Sequence, residues 1–147
     1  MTQPTVQVST RINASPGDVW TALTTPDLIK SYFFGAEVDT DWHEGSPIYF
    51  RGDWKGKRFE DRGEIQTFEP EKKLSYSHWS PLTGAPDRPE NYQLVTFDLA
   101  RAGDGTKVTL SQGNLTDDAK KPDPAKVQEY EKNWKMVLDG LKKVVEA

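Results

Sequence analysis

The end of the chain constrains its fold most. Val127, Tyr130, Trp134, Val137, Leu138, Leu141, Val144 and Val145 recur at steps of three and four residues. That is the apolar stripe of an amphipathic helix about six turns long. Asp123 and Pro124 supply a cap and a first-turn proline, and Lys142 and Lys143 place positive charge near the C-terminal end. Gly140 interrupts the stripe at a cost of about 1 kcal/mol relative to alanine, which we read as allowing a close approach of a sheet. A solitary helix with so wide an apolar face needs a large apolar partner.

The rest of the chain offers only a sheet as that partner. Val6, Val8, Thr10 and Ile12 alternate with polar residues, the period of a half-buried strand. Ser15 before Pro16 signals a helix start, and Val19, Trp20 and Leu23 mark its buried face. Thr25-Pro26-Asp27 restarts the signal for a second short helix carrying Leu28, Ile29, Tyr32 and Phe33, with Gly35 as its stop. From Ala36 to Asn114 the pattern is β, in about six strands. Ile48, Phe50 and Trp54 share one parity, as do Phe59, Asp61, Gly63 and Ile65, whereas Glu60, Arg62, Glu64 and Gln66 read as a solvated face. Leu74, Tyr76 and His78 alternate in the next strand, and Val95, Phe97 and Leu99 pair across a Gly103-Asp104-Gly105 turn with Val108, Leu110, Gln112 and Asn114. Hairpins in sequence imply an antiparallel sheet. The expected fold is therefore α+β: a curved antiparallel sheet wrapped around a long C-terminal helix, with two short helices after the first strand, in one domain spanning residues 1–147.

Composition narrows the function classes. The chain has 147 residues, a formal net charge of -4 and no cysteine. Disulfides, thiolate metal sites and cysteine nucleophiles are thereby excluded. A nucleic-acid partner would call for a basic surface. No basic-then-apolar leader or membrane-length apolar run is present, so a cytoplasmic protein is the expectation. With two histidines and no phosphate-binding glycine loop or serine nucleophile elbow, no metal or other cofactor is expected. Lys55, Lys57 and Arg58 form a small basic turn that reads as a solvated hairpin tip.

Six segments in order carry a resemblance: INASPGDVWTALT (12–24), PDLIKSYF (26–33), GEIQTFEP (63–70), TFDL (96–99), GTKVTL (105–110) and NWKMVLDGL (133–141). Together they resemble the START-like superfamily (the SRPBCC, Bet v-type or helix-grip fold). More narrowly, the chain is similar to the activator of heat-shock-protein-90 ATPase homologue domain over about Val6 to Glu146. The resemblance implies a pocket between sheet and helix. It fixes no catalytic residue, since ligand carriers, cyclase- and hydrolase-like enzymes and co-chaperones share the scaffold. Asn133 stands where members commonly have glycine, Gln112 where many have histidine, and His78 where many have tryptophan. Those positions are expected to face the pocket, so other members' ligands are not carried over.

Phe50, Trp54, Phe59, Phe97, Trp134 and Leu138 read as the apolar walls of a cavity or as a filled core, with Tyr32 and Phe33 covering one end and the Pro81–Pro89 loop as either a lid or a passive surface loop. Asp61, Tyr76, His78 and Gln112 are polar residues on the core-facing parity. A buried carboxylate needs a partner or a wet pocket. Asp61 and His78 thus read as a solvated strand end beside a satisfied core histidine, as ligand contacts, or as an acid/base pair. Three functions follow: binding of a small apolar or amphipathic molecule, surface activation of a heat-shock chaperone ATPase, or acid/base chemistry on an aromatic or polyketide-like substrate. The first is preferred. Trp42 and Trp79 are candidates for an exposed dimer face, and both monomer and homodimer stay open.

Overall fold

The computed structural model describes residues 4–54, 56–81, 84, 86–115 and 124–146. Asp123 and Lys55, read above as a cap and as part of a basic turn, lie outside them. Strand β1 (Pro4–Ile12) buries Val6, Val8 and Ile12, as its alternation requires. Helix α1 (Pro16–Leu23) starts where Ser15 Oγ accepts the Asp18 N–H at 3.2 Å, satisfying one of the free amides of the first turn. Helix α2 (Pro26–Tyr32) follows and buries Ile29 and Tyr32.

Six more strands complete the sheet: β2 (Glu37–Thr40), β3 (Pro47–Trp54), β4 (Lys57–Glu69), β5 (Lys73–His78), β6 (Gln93–Ala102) and β7 (Gly105–Asn114). The spatial order is β1-β7-β6-β5-β4-β3-β2, with every neighbouring pair antiparallel. The long strand β4 joins the two halves. Its residues Lys57–Glu64 pair with β3, and from Ile65 to Glu69 it pairs with β5. At Gly63 the backbones press together: a Cβ there would lie 1.6 Å from Ser77 O. Glu64 donates its N–H to Ser77 Oγ at 2.9 Å, so the side chain takes over a bond the ladder no longer makes.

Helix α3 (Pro124–Glu146) fills the concavity, packing on β1, α1 and α2. Val137, Leu138 and Leu141 are buried, each burial stabilising by about 1.5–3 kcal/mol. The expectation for Gly140 needs correction. What approaches it is α2: a Cβ at Gly140 would meet Tyr32 Cβ at 2.7 Å and Tyr32 Cα at 3.3 Å. The far end of α3 is tied to the β1–α1 connection. Glu146 Oε2 accepts the Asn13 N–H at 2.8 Å, and Lys142 Nζ donates to Arg11 O at 2.6 Å.

The segment after β5 is anchored on the outer face of the sheet. The Arg62 guanidinium lies 5.5 Å from the Trp79 ring, Trp79 stacks on Tyr92, and Tyr92 Oη donates to Asp87 at 2.6 Å. Arg62 also pairs with Asp87 at 3.4 Å. This holds the described part of the expected lid by side chains of solvated parity; Leu82, Thr83 and Ala85 lie outside the described residues. Nor are Trp42 and Trp79 free-standing exposed aromatics. Trp42 is half-buried beside Phe68 and Trp79 is half-buried in the stack with Tyr92. No helix among the described residues is long and apolar enough to cross a membrane.

Candidate functional site

The site begins where α2 ends. Phe33 caps the helix, and Phe34 and Gly35 follow in the left-handed region at φ 54° and 75°. That conformation costs a non-glycine residue about 1–2 kcal/mol, and the two consecutive phenylalanine rings meet edge to face at 6.0 Å with unequal burial. Phe33 turns inward, stacked on Phe50 at 5.6 Å and edge-on to Trp134 at 5.7 Å. Phe34 stays 51% exposed. Across from them, Phe59 folds over β3. Gly52 leaves room for it: a Cβ there would touch the Phe59 ring at 3.0 Å.

Phe33, Phe34, Phe50 and Phe59 thereby wall a cleft of about 210 Å³, open on one side, whose lining Ala36, Asp61 and Asn133 complete. A dry cavity of about 150 Å³ holds a benzene molecule, so there is space for a one-ring ligand and a short polar tail. Deeper inside, on the other side of Phe33 and Phe50, a void bordered by Tyr32, Tyr76 and Phe97 measures about 20 Å³. That is room for one water; at this place the core is filled by its own side chains. Tyr32 Oη donates to Ala22 O at 2.9 Å. Burial pushes the Tyr76 phenol far up, and burial followed by the nearby Tyr76 hydroxyl does the same to Tyr32. Both therefore stay neutral.

Asp61 and His78 meet. Asp61 Oδ2 lies 2.9 Å from His78 Nε2, with the side chains 14% and 26% exposed. The second carboxylate oxygen, Oδ1, is buried with no hydrogen-bond partner among the described residues. Nε2 is the ring nitrogen that serves this carboxylate as a donor. His78 also stands edge-on to Phe50, 5.5 Å between centroids.

The polar row continues across the sheet. His78 is the cross-strand partner of Gln93, and Gln93 of Asn114. Gln93 Nε2 donates to Asn114 Oδ1 at 3.2 Å and Gln93 Oε1 accepts from Gln112 Nε2 at 3.3 Å. Gln112 Oε1 in turn accepts the Trp134 indole N–H. A partly buried amide chain of this kind fixes how α3 lies on β7.

Of the residues singled out from sequence, Phe33, Phe50, Phe59 and Asp61 line the cleft, and His78 reaches it through Asp61. Tyr32, Tyr76 and Phe97 face the small void, Leu138 is packed in the core, and Gln112 and Trp134 satisfy each other. The backbone of Trp54 ends β3, while its side chain lies outside the described residues. Phe34, Ala36 and Gln93 were not foreseen as site residues, whereas the resemblance had Asn133 facing the pocket, and it lines the cleft. The pair Phe34-Gly35 after a helix is a signal for the first, because a left-handed stop turns the adjacent side chain outward.

Comparison with known proteins agrees with this architecture. The family model described as Activator of Hsp90 ATPase homolog 1-like protein matches residues 13–146. A Cytophaga hutchinsonii protein of known solution structure is 45% identical, with a TM-score of 0.80 over 96% of this chain and 92% of that one. A Mesorhizobium loti protein of known crystal structure is 25% identical, with a TM-score of 0.73 over 95% of each chain. The Aha1 dimer from Colwellia psychrerythraea shares the fold at 21% identity, with a TM-score of 0.70 over 96% of this chain and 95% of that one. Among curated proteins, none matches the chain.

Proposed function

The chain belongs to the Activator of Hsp90 ATPase homolog 1-like family, and from that premise we propose that it binds a small amphipathic molecule in the cleft beside Asp61. One observation carries the reading. Four phenylalanines hold open about 210 Å³ of space next to a carboxylate with an unsatisfied oxygen. A close-packed core leaves no such gap, and an apolar pocket with one placed polar group is the usual form of a small-molecule site. The rings supply affinity by desolvation, Asp61 orients the ligand, and His78 holds Asp61.

Phe34→Asn tests it. The residue is half exposed and left-handed, and asparagine tolerates that conformation better than most residues, so the fold survives while one cleft wall is removed. We expect one-ring amphipathic compounds to raise the thermal midpoint of the native protein saturably, and to do so less in the variant. A flat response to a broad panel of such compounds would sink the reading. The family's description favours a second reading, activation of a heat-shock-protein-90 ATPase through the surface. An unchanged ATPase rate at micromolar concentrations of this protein would exclude it.

A further inference from the structure

Among the described side chains that line the cleft, Asp61 is the sole ionisable one. Its surroundings leave that charge half answered. Oδ2 is held by His78, while Oδ1 is buried with no partner among the described residues. A desolvated carboxylate in this state is costly unless a donor, and preferably a positive one, completes its shell. The walls point the same way. Phe33, Phe34, Phe50 and Phe59 line the space, and an aromatic ring attracts a cation that settles over its face. Asn133 adds a side-chain amide, which can supply an acceptor as well as a donor. An anionic ligand would meet the Asp61 carboxylate with no cationic side chain among the described lining residues to answer it. A neutral hydroxyl could satisfy hydrogen bonding but would bring no positive charge to the carboxylate.

We propose that the cleft is a site for an organic amine, its ammonium beside Asp61 and its apolar body among the phenylalanines. This rests on the ligand-binding reading of the same cleft and names the chemical class it takes. Size limits the ligand: about 210 Å³ admits a single ring with a two- or three-atom tail. Specificity comes from the pairing of one buried carboxylate with aromatic faces, because each attracts a cation and neither rewards a neutral isostere to the same degree.

Three probes of one shape decide the matter: 2-phenylethylamine, 2-phenylethanol and propylbenzene, which end in an ammonium, a hydroxyl and a methyl group. Each is titrated at neutral pH into isotopically labelled native protein, Asp61→Asn and Phe59→Leu, following amide shifts around the cleft. In the native protein the amine should bind about tenfold more tightly than the alcohol, a difference of about 1.4 kcal/mol, and the hydrocarbon most weakly. Asp61→Asn should bring the amine down to the level of the alcohol and leave propylbenzene unchanged. Phe59→Leu should weaken the amine more than the hydrocarbon. Should Asp61→Asn fail to fold, the probe ranking in the native protein and the fall of amine affinity with added salt carry the test. Alcohol or hydrocarbon binding as tightly as the amine overturns the cation assignment and leaves the pocket standing. Binding by none of the three overturns both.

Discussion

Gly140 marks the point where α3 crosses α2 with no space for a side chain. Alanine there would gain about 1 kcal/mol in helix propensity. It would also drive a methyl group to 2.7 Å from Tyr32 Cβ, and Tyr32 cannot swing away because its hydroxyl is bonded to Ala22 O. Overpacking against atoms next to the backbone costs about 1–3 kcal/mol. Gly140→Ala should therefore lower the denaturation midpoint in urea; an unchanged or higher midpoint would show that the helices slide apart freely. The glycine's oddity was legible in the sequence, as a gap in an apolar stripe. Its partner was not, because periodicity reports which face of a helix is buried and says nothing of what covers it. Asp61 and His78 were legible for the opposite reason. Alternation puts both on the core-facing side of adjacent strands, and antiparallel pairing brought them to 2.9 Å. Phe33 and Phe34 could not be sorted the same way, since their directions depend on a left-handed turn that only the fold imposes.

At the scale of elements, the link between α3 and the sheet is the indole of Trp134 on the amide of Gln112. Sequence periodicity placed Trp134 on the buried stripe and Gln112 on the inward face of its strand, yet hydropathy alone could not show that each is the other's hydrogen-bond partner. Trp134→Phe removes the donor and leaves a buried amide oxygen unsatisfied, a loss of about 1–3 kcal/mol. Adding Gln112→Leu to that variant removes the orphaned acceptor as well. The double variant should be more stable than the sum of the two single losses predicts, with a coupling of about 0.5–3 kcal/mol. Additive losses in chemical denaturation would mean that Trp134 stabilises only by its bulk. The same element explains a boundary of the site. Phe33 leans on Trp134, so loosening α3 here should also blunt ligand binding in the cleft, which the probe titrations would read directly.

For the molecule as a whole, the C-terminal end of α3 is held by the packing of Leu141 and also by charge. The backbone N–H of Asn13 and then the ammonium of Lys142 keep the Glu146 carboxyl below its ordinary value. A carboxyl lowered in the folded state contributes stability that is complete above its unfolded value, about 4.3, and that is lost as pH falls through the folded one. Glu146→Gln keeps the shape and a weaker acceptor but cannot carry the charge. The native protein should be more stable than this variant at pH 7, and the gap should close as the pH is taken below about 4. Comparing the two across pH separates this tie from other carboxylates that titrate in the same range, since those are common to both. A gap that persists at pH 2 would assign the effect to hydrogen-bond geometry, and the closure of the fold by charge would have to be abandoned.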